Sequence, residues 1–517
     1  MRTQNGRHPP GGSVSLWMAG KRAAAFPALQ EDEETDVCIV GGGLTGLTLA
    51  YLLAPSHRVL VLEKNEIGSG DTGRSTGHLT CVLDDDYGVL IKRFGEDGAA
   101  TAVKAHGAAV NFIESVIAKE KLDSDFERVD GWLVGEPGED ERIERKADAA
   151  RRAGIADAVL EISAPFEGRR AGPCLRFPRQ AQLDPWRYVQ GLAQAVAGLG
   201  GVIRSGSAVT RITESSRASV LVEVGHGPIV RASALVVATH APLGGKPGIH
   251  ARLQAHRTYV ITGLLPKGKT PRALAWDTAS PYHYVRRAPH SASDDLLIVG
   301  GEDHRTGEAS DAARRYESLE RWARERFPSL GPIEHRWSGQ VYEPSGGLGF
   351  VGRAPGHHGQ ELFATGHSGN GLTHGTLSAI LLASLLREGD HAWSAVFDPG
   401  RKTLDAAIEA AKQGAASVAQ VGDRFTAEEL TSSDQVAPGA AAVVGKGASR
   451  LAVYREPGGR LWECSAICSH MGCVVRWNEG ERSWDCPCHG SRFDAGGRVL
   501  EGPALRDLTP VPSAQPR

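Results

Sequence analysis

The sequence predicts an α/β domain built on a parallel sheet, with a mixed sheet inserted into it, followed by a small all-β domain. Three observations predict this. Val37-Cys38-Ile39-Val40 is an apolar run that meets Gly41-Gly42-Gly43, passes into a helical pattern and returns as Val59-Leu60-Val61-Leu62, ending at Glu63. Strand, glycine turn, helix, strand and acid make one βαβ unit of a parallel sheet. Alternating apolar runs reappear at 202–212, 220–224 and 234–238, and again between Tyr259 and Gly300. From about Val421 the texture changes to short strands and turns, and five of the eight cysteines crowd into residues 464–488.

The elements follow in order. Residues 1–35 are polar, rich in Gly, Pro and Arg, and lack the apolar stretch of a secretory signal, so they read as a flexible tail and the chain as cytoplasmic. Residues 100–160 are helical in pattern, and the charged run Glu141–Arg152 is a solvated helix face. The strands of 245–340 form the inserted, substrate-bearing subdomain, with an Arg- and Glu-rich helix over 311–327 near its end. Glycines cluster at 346–352 and 366–375, and an apolar helix follows over 377–387. Its apolar run, Ala379–Leu386, is far shorter than the roughly 18–20 residues that cross a bilayer, so no transmembrane segment is expected. Ala-rich, charged residues 401–420 suit a helical linker. The domains are therefore a tail at 1–35, an α/β domain at 36–400, a linker at 401–420 and a β domain at 421–517.

A chain of 517 residues has room for two or three domains of about 150 residues each. Its 58 Lys and Arg nearly balance 61 Asp and Glu, leaving −3. A nucleic-acid binder needs a cationic excess to displace phosphate counterions, so that class is excluded. Eight cysteines in such a length are too few for a secreted disulfide scaffold.

Their positions carry the chemistry. Cys468-Ser-His470 and Cys486-Pro-Cys488-His489 are separated by the 15 residues between His470 and Cys486. Each loop offers a thiolate and an imidazole. Two thiolates on one iron and two imidazoles on the other make a Rieske [2Fe–2S] centre, whereas the same four ligands would also satisfy tetrahedral zinc. The flanking residues favour iron. Cys468-Ser-His470-Met-Gly-Cys473 and Cys486-Pro-Cys488-His489-Gly490-Ser491 resemble the paired boxes of Rieske proteins of the cytochrome bc type, and Gly502-Pro503-Ala504 resembles their proline loop. The resemblance implies Cys468 and Cys486 on one iron and His470 and His489 on the other. It also implies a Cys473–Cys488 disulfide clasping the two loops, with the histidine ends facing solvent. Ser491 matches the family's hydroxyl donor, but Phe493 stands where high-potential members carry Tyr. One fewer donor to sulfur destabilises the reduced cluster, so a potential below theirs is expected.

Gly41-x-Gly43-x-x-Gly46 gains its meaning from context: it follows a strand, opens a helix and precedes Glu63. The glycines allow the turn, the approach of a pyrophosphate and close helix–strand packing, and Glu63 is placed for an adenosine ribose. The fold is thus Rossmann-like. The chain from 36 to 398 resembles the flavoproteins of the D-amino-acid oxidase, glycine oxidase and sarcosine oxidase family, which implies FAD. The resemblance rests on Gly68–His78, on Leu235–Thr239, on Gly352-Arg353 and on Gly366–Gly371. It implies FAD contacts from Lys64, Thr72, Gly73, Arg74, Ser75, Thr76, Gly77, His78, the Val209 backbone, Gly366, Gly369, Asn370 and Gly371, beside Gly41, Gly43, Gly46 and Glu63. Backbone amides at 366–371 would face the flavin edge that gains negative charge on reduction. Gly445-Lys-Gly447-Ala-Ser-Arg450 lacks the third glycine, so no second nucleotide site is read.

Tyr259, Tyr284 and Arg286 are the substrate candidates, with Tyr282 beside them and Arg286 as a carboxylate clamp. No catalytic base is assigned, because the family oxidises neutral amines by hydride transfer. No cysteine lies between Cys174 and Cys464 to tether the flavin. The expected function is oxidation of a small-molecule amine or amino acid, with electrons passing from FAD through the [2Fe–2S] cluster to an external acceptor. Two alternatives stay open: a reductase fed through the cluster, and a cluster with a sensing or structural role only.

Overall fold

The computed structural model describes residues 12–83, 86–166, 172–216, 219–225, 227–243, 247–355, 361–401, 430–445 and 449–511. All but the first residue of the linker expected at 401–420 lies outside them. No helix of the described residues is long and apolar enough to cross a membrane.

β1 (Glu33–Val40) pairs in parallel with β2 (Val59–Leu62) on one side and with strand Ile229–Val237 on the other. Strands Val202–Arg204 and Glu361–Thr365 extend this parallel core, and Phe350–Arg353 closes one edge antiparallel. Side chains alternate across the sheet. Val37 and Ile39 join α1 (Leu44–Leu53) and the helix Gly371–Arg387 in one core, whereas Cys38 and Val40 join Val220 and Val222 of an antiparallel hairpin in another. A parallel strand covered on both faces must be apolar throughout, which is why 37–40 and 59–62 read as unbroken apolar runs.

A second, nine-stranded mixed sheet stands beside the first. It contains the expected strands between Leu253 and Pro344, but also four strands from 78–182, among them Glu127–Val134 and Cys174–Gln182. The mixed sheet is therefore assembled from two stretches of chain, with five strands from 253–344 and four from 78–182. The C-terminal domain has two small antiparallel sheets, one over 441–465 and one over 476–501, with its own core around Trp484 and Phe493.

The described part of the expected tail is a brace. Trp17 is 3% exposed and donates from Nε1 to the Ser75 carbonyl at 2.7 Å, Ser15 Oγ donates to the Gly73 carbonyl, and Leu29 is buried. The apolar Trp17 and Leu29, embedded in polar sequence, find cores supplied from far along the chain. Local composition does not reveal this.

Candidate active site and cluster centre

A continuous cavity of 1510 Å³ opens at the carboxyl ends of β1 and β2. It exceeds the roughly 300–1,000 Å³ of a pocket for one drug-sized ligand, so a dinucleotide and a substrate fit together. The glycine turn forms its floor. Gly41 has φ +114°, and a Cβ there would lie 2.4 Å from the Ala238 carbonyl oxygen; at Gly46 it would lie 2.0 Å from that of Gly41. Gly43 precedes α1 as its N-cap and offers no side-chain cap, and the first turn holds no acid. Gly43, Leu44 and Thr45 line the cavity, so the positive end of the helix is open to an anion. Glu63 is oriented by two backbone donors, Gly42 N at 2.7 Å and Asn65 N at 2.8 Å. These features fit FAD.

Of the other expected FAD contacts, Lys64, Thr72, Arg74, Ser75, Thr76, His78, Val209, Gly369, Asn370 and Gly371 line the cavity. Gly46, Gly73, Gly77 and Gly366 lie behind its wall, where a Cβ would meet backbone or packed side chains within 3 Å. Two cationic groups are directed elsewhere. Lys64 Nζ donates to the carbonyls of Val499 and Leu500, and Arg74 donates to those of Ser338 and Ser13. Sequence reasoning missed the Asp71–His240 pair, 2.9 Å apart at the cavity wall, and Gln340, whose backbone N donates to Asp71 Oδ1 at 2.8 Å. Burial alone would raise the Asp71 pKa, but the His240 hydrogen bond and charge hold it at about 2.

The substrate candidates divide. Tyr284 lines the cavity with Tyr282, and its hydroxyl meets Thr258 Oγ1 at 2.9 Å. Tyr259 does not line it: its hydroxyl meets His304 Nε2 at 3.0 Å, and its ring is buried against Tyr316. Arg286 is no clamp either. It is 2% exposed, donates from Nη1 to the Gly77 and Leu183 carbonyls at 3.0 Å each, and sits over the Trp17 ring. The Gly77 carbonyl also accepts from Leu183 N at 3.1 Å, whereas the Leu183 carbonyl has Arg286 as its donor, so the cation serves the fold. His78 lies at the cavity, with Nδ1 3.0 Å from Thr76 Oγ1 and Nε2 3.3 Å from the Val285 carbonyl. Burial and the nearby Arg286 push its pKa down to about 3, so the ring is neutral.

The two cysteine–histidine loops have the same turn. Gly472 N donates to the Cys468 carbonyl at 2.9 Å, and Gly490 N to that of Cys486 at 3.0 Å. The turns bring the Cys468 and Cys486 sulfurs next to each other. The rings of His470 and His489 lie 5.1 Å apart. His489 Nδ1 is buried with no hydrogen-bond partner among the described residues. Two sulfurs and two imidazoles, one with an orphaned nitrogen, suit a [2Fe–2S] cluster. Cys473, Cys486 and Cys488 also have sulfurs within 4.8 Å of one another. Cys473 and Cys488 are joined to each other, with Cα atoms 6.4 Å apart, so this trio is not a metal site. Ser491 hydrogen-bonds the Cys468 sulfur and accepts from Ala504 N at 3.1 Å, while Phe493 is fully buried.

The histidine ends do not face solvent as expected. They pack on His250 of the first domain, from the short helix Pro247–His250, at 4.6 Å from the His470 ring and 5.7 Å from that of His489. The second loop is also bonded to the cavity wall. Tyr342 Oη donates to the His489 carbonyl at 3.2 Å, and Gln340 Nε2 to that of Gly490 at 3.0 Å. Beside these contacts lies a buried charge cluster. Glu481 stands 3.8 Å from Arg74, 3.5 Å from Arg257 and 3.5 Å from Arg492, and Arg492 also pairs with Asp485 and Glu501. Burial would raise the Glu481 pKa, yet the three guanidinium groups hold it at about 2.

Comparison with known proteins agrees with both halves. Residues 36–385 match the FAD-dependent oxidoreductase family and residues 427–512 the Rieske [2Fe-2S] domain. The Bacillus subtilis (strain 168) protein YhfW, by name a Rieske 2Fe-2S iron-sulfur protein, is 28% identical over 503 residues, covering 96% of this chain and 97% of its own. The gamma-glutamylputrescine oxidoreductase of Escherichia coli (strain K12) is 27% identical over 408 residues, 75% of this chain and 93% of its own. The glycine oxidase of Geobacillus kaustophilus has the same fold over 72% of this chain and 99% of its own, with a TM-score of 0.60 at 21% identity. A glycine-floored dinucleotide cavity and a two-loop cysteine–histidine centre in one chain thus have a common explanation: the protein belongs to the FAD-dependent oxidoreductase family and carries a C-terminal Rieske [2Fe–2S] domain.

Proposed function

We propose that the chain oxidises an amine or amino acid, with electrons leaving through FAD and the Rieske [2Fe–2S] cluster to an external one-electron acceptor. When bound, FAD accepts an electron pair from the substrate and the cluster takes the electrons singly. The observation that carries this reading is the pair of hydrogen bonds from Tyr342 and Gln340 to the His489 and Gly490 carbonyls. Both donors line the dinucleotide cavity and both acceptors lie in a cluster loop, so a few bonds join the two centres.

The cavity lining favours an amine. Tyr282, Tyr284, Trp276 and Phe177 contribute aromatic faces, which attract a cationic or nitrogen-bearing group. Arg286, the one cation expected to hold a carboxylate, is committed to Gly77 and Leu183. The neutral His78, held between Thr76 and Val285, places no positive charge beside the substrate. Tyr284 is fixed by Thr258 and sets the shape of the aromatic wall.

The test is anaerobic mixing of the FAD- and cluster-loaded protein with a panel of primary amines, secondary amines and amino acids. Flavin bleaching is followed optically and the reduced cluster by electron paramagnetic resonance of quenched samples. Reduction of both centres by an amine supports the proposal. Flavin bleaching with a cluster that stays oxidised defeats it.

A further inference from the structure

The dinucleotide cavity is not enclosed by the FAD-dependent oxidoreductase domain alone. Around Glu63, the acid that the glycine fingerprint assigns to the adenosine ribose, the opposite wall comes from the C-terminal domain: Arg498, Val499, Leu500, Glu501, Arg506 and Asp507. The contact is specific. Lys64, the residue after Glu63, donates from Nζ to the Val499 carbonyl at 3.4 Å and to the Leu500 carbonyl. The segment is held in shape by its own domain. Asp507 Oδ1 accepts from Val499 N at 2.8 Å, Ser469 Oγ donates to the Arg506 carbonyl, and strand Val499–Glu501 pairs with Arg492–Asp494. Arg492 in turn belongs to the buried charge cluster that ties the domains together.

We propose that the C-terminal domain forms part of the FAD-binding site. Residues 498–507 close the adenosine end of the cavity, with Val499 and Leu500 as an apolar wall and Arg498 and Arg506 at its rim. FAD retention and docking of the iron–sulfur domain are then one linked equilibrium. The cofactor leaves only when segment 498–507 lifts away, and the domain is held more firmly when FAD is bound. This follows from linkage: a ligand that binds only the closed form suppresses opening by the factor 1 + [L]/Kd. The proposal rests on the two domains' cofactors and not on the direction or purpose of electron flow.

Hydrogen exchange of the full, cluster-loaded protein tests it, with FAD stripped and then restored. With FAD at about 100 times its Kd, amides of 494–507 that exchange through domain opening should slow by up to about 100-fold, alongside those of 41–46. A second arm uses Leu500→Asp in the full chain, which sets a carboxylate in the apolar wall. FAD affinity should fall about tenfold or more, that being the cost of roughly one unfavourable charge contact, while the visible circular dichroism of the cluster stays that of the parent. Protection confined to 41–46, or unchanged FAD affinity in Leu500→Asp, would overturn the proposal.

Discussion

Glu481→Gln removes the negative charge that Arg74, Arg257 and Arg492 share at the domain interface. The cluster holds these three guanidinium groups against three carboxylates, Glu481, Asp485 and Glu501. The variant leaves three against two, with all three arginine side chains at 0% exposure. Holding the Glu481 carboxyl at about 2 instead of 4.5 corresponds to about 3 kcal/mol of favourable interaction. Breaking one partner of a buried pair costs about 3–5 kcal/mol by an independent route, because the remaining charge stays buried. Urea unfolding of the loaded protein, followed by flavin fluorescence, should therefore show a loss of about 3 kcal/mol at pH 7. The pH dependence has a definite sign. The folded pKa is depressed, so the stabilisation is fully present above the ordinary carboxyl value and is lost as pH falls from about 5 towards 2. Parent and variant should converge over that window. Adding Arg257→Met to Glu481→Gln removes one charge of each sign and should recover part of the loss. A cost at pH 7 below about 1 kcal/mol, the level of an exposed ion pair, would refute the argument.

Tyr342→Phe removes the hydroxyl that donates to the His489 carbonyl. Rapid-mixing kinetics should show cluster reduction slowed about tenfold, the lower end for losing a partner of a metal ligand, with substrate bleaching of the flavin unchanged. Phe493→Tyr places a hydroxyl in the buried core beside the cluster loops. Voltammetry should record a higher cluster potential, and no upward shift would defeat the hydrogen-bond argument. Arg286→Met leaves the Leu183 carbonyl without its donor, while that of Gly77 keeps the Leu183 N–H. It should lower stability by about 1–3 kcal/mol for an unsatisfied buried group. A clamp would instead raise KM with kcat and stability intact.

Much of the molecule was legible in the chain because its signals are local. The run Val37–Val40, the turn Gly41–Gly46 and the acid Glu63 lie within one βαβ unit, where spacing alone sets the geometry. Cys468, His470, Cys486 and His489 sit on two short loops, so their ligand chemistry is visible without a fold. The failures involve pairings between distant residues. Arg286 and Tyr284 are two positions apart on one strand, yet Tyr284 enters the cavity and Arg286 meets carbonyls from residues 77 and 183. Trp17 and Leu29 looked like a polar tail until cores from other segments received them.

The sequence by itself determined that two redox cofactors belong to one chain, because each cofactor's fingerprint is contained in a short stretch. Only the tertiary structure decided how they are joined. His250 on the imidazole rings, Tyr342 and Gln340 on the second loop, Lys64 under strand Val499–Glu501 and Glu481 among three arginines are all contacts between domains. Each depends on a charge, a ring or a donor meeting a partner hundreds of residues away or in the other domain. The physical reason is that such contacts are long-range: no periodicity or spacing encodes them, and they exist only after both domains have folded and docked.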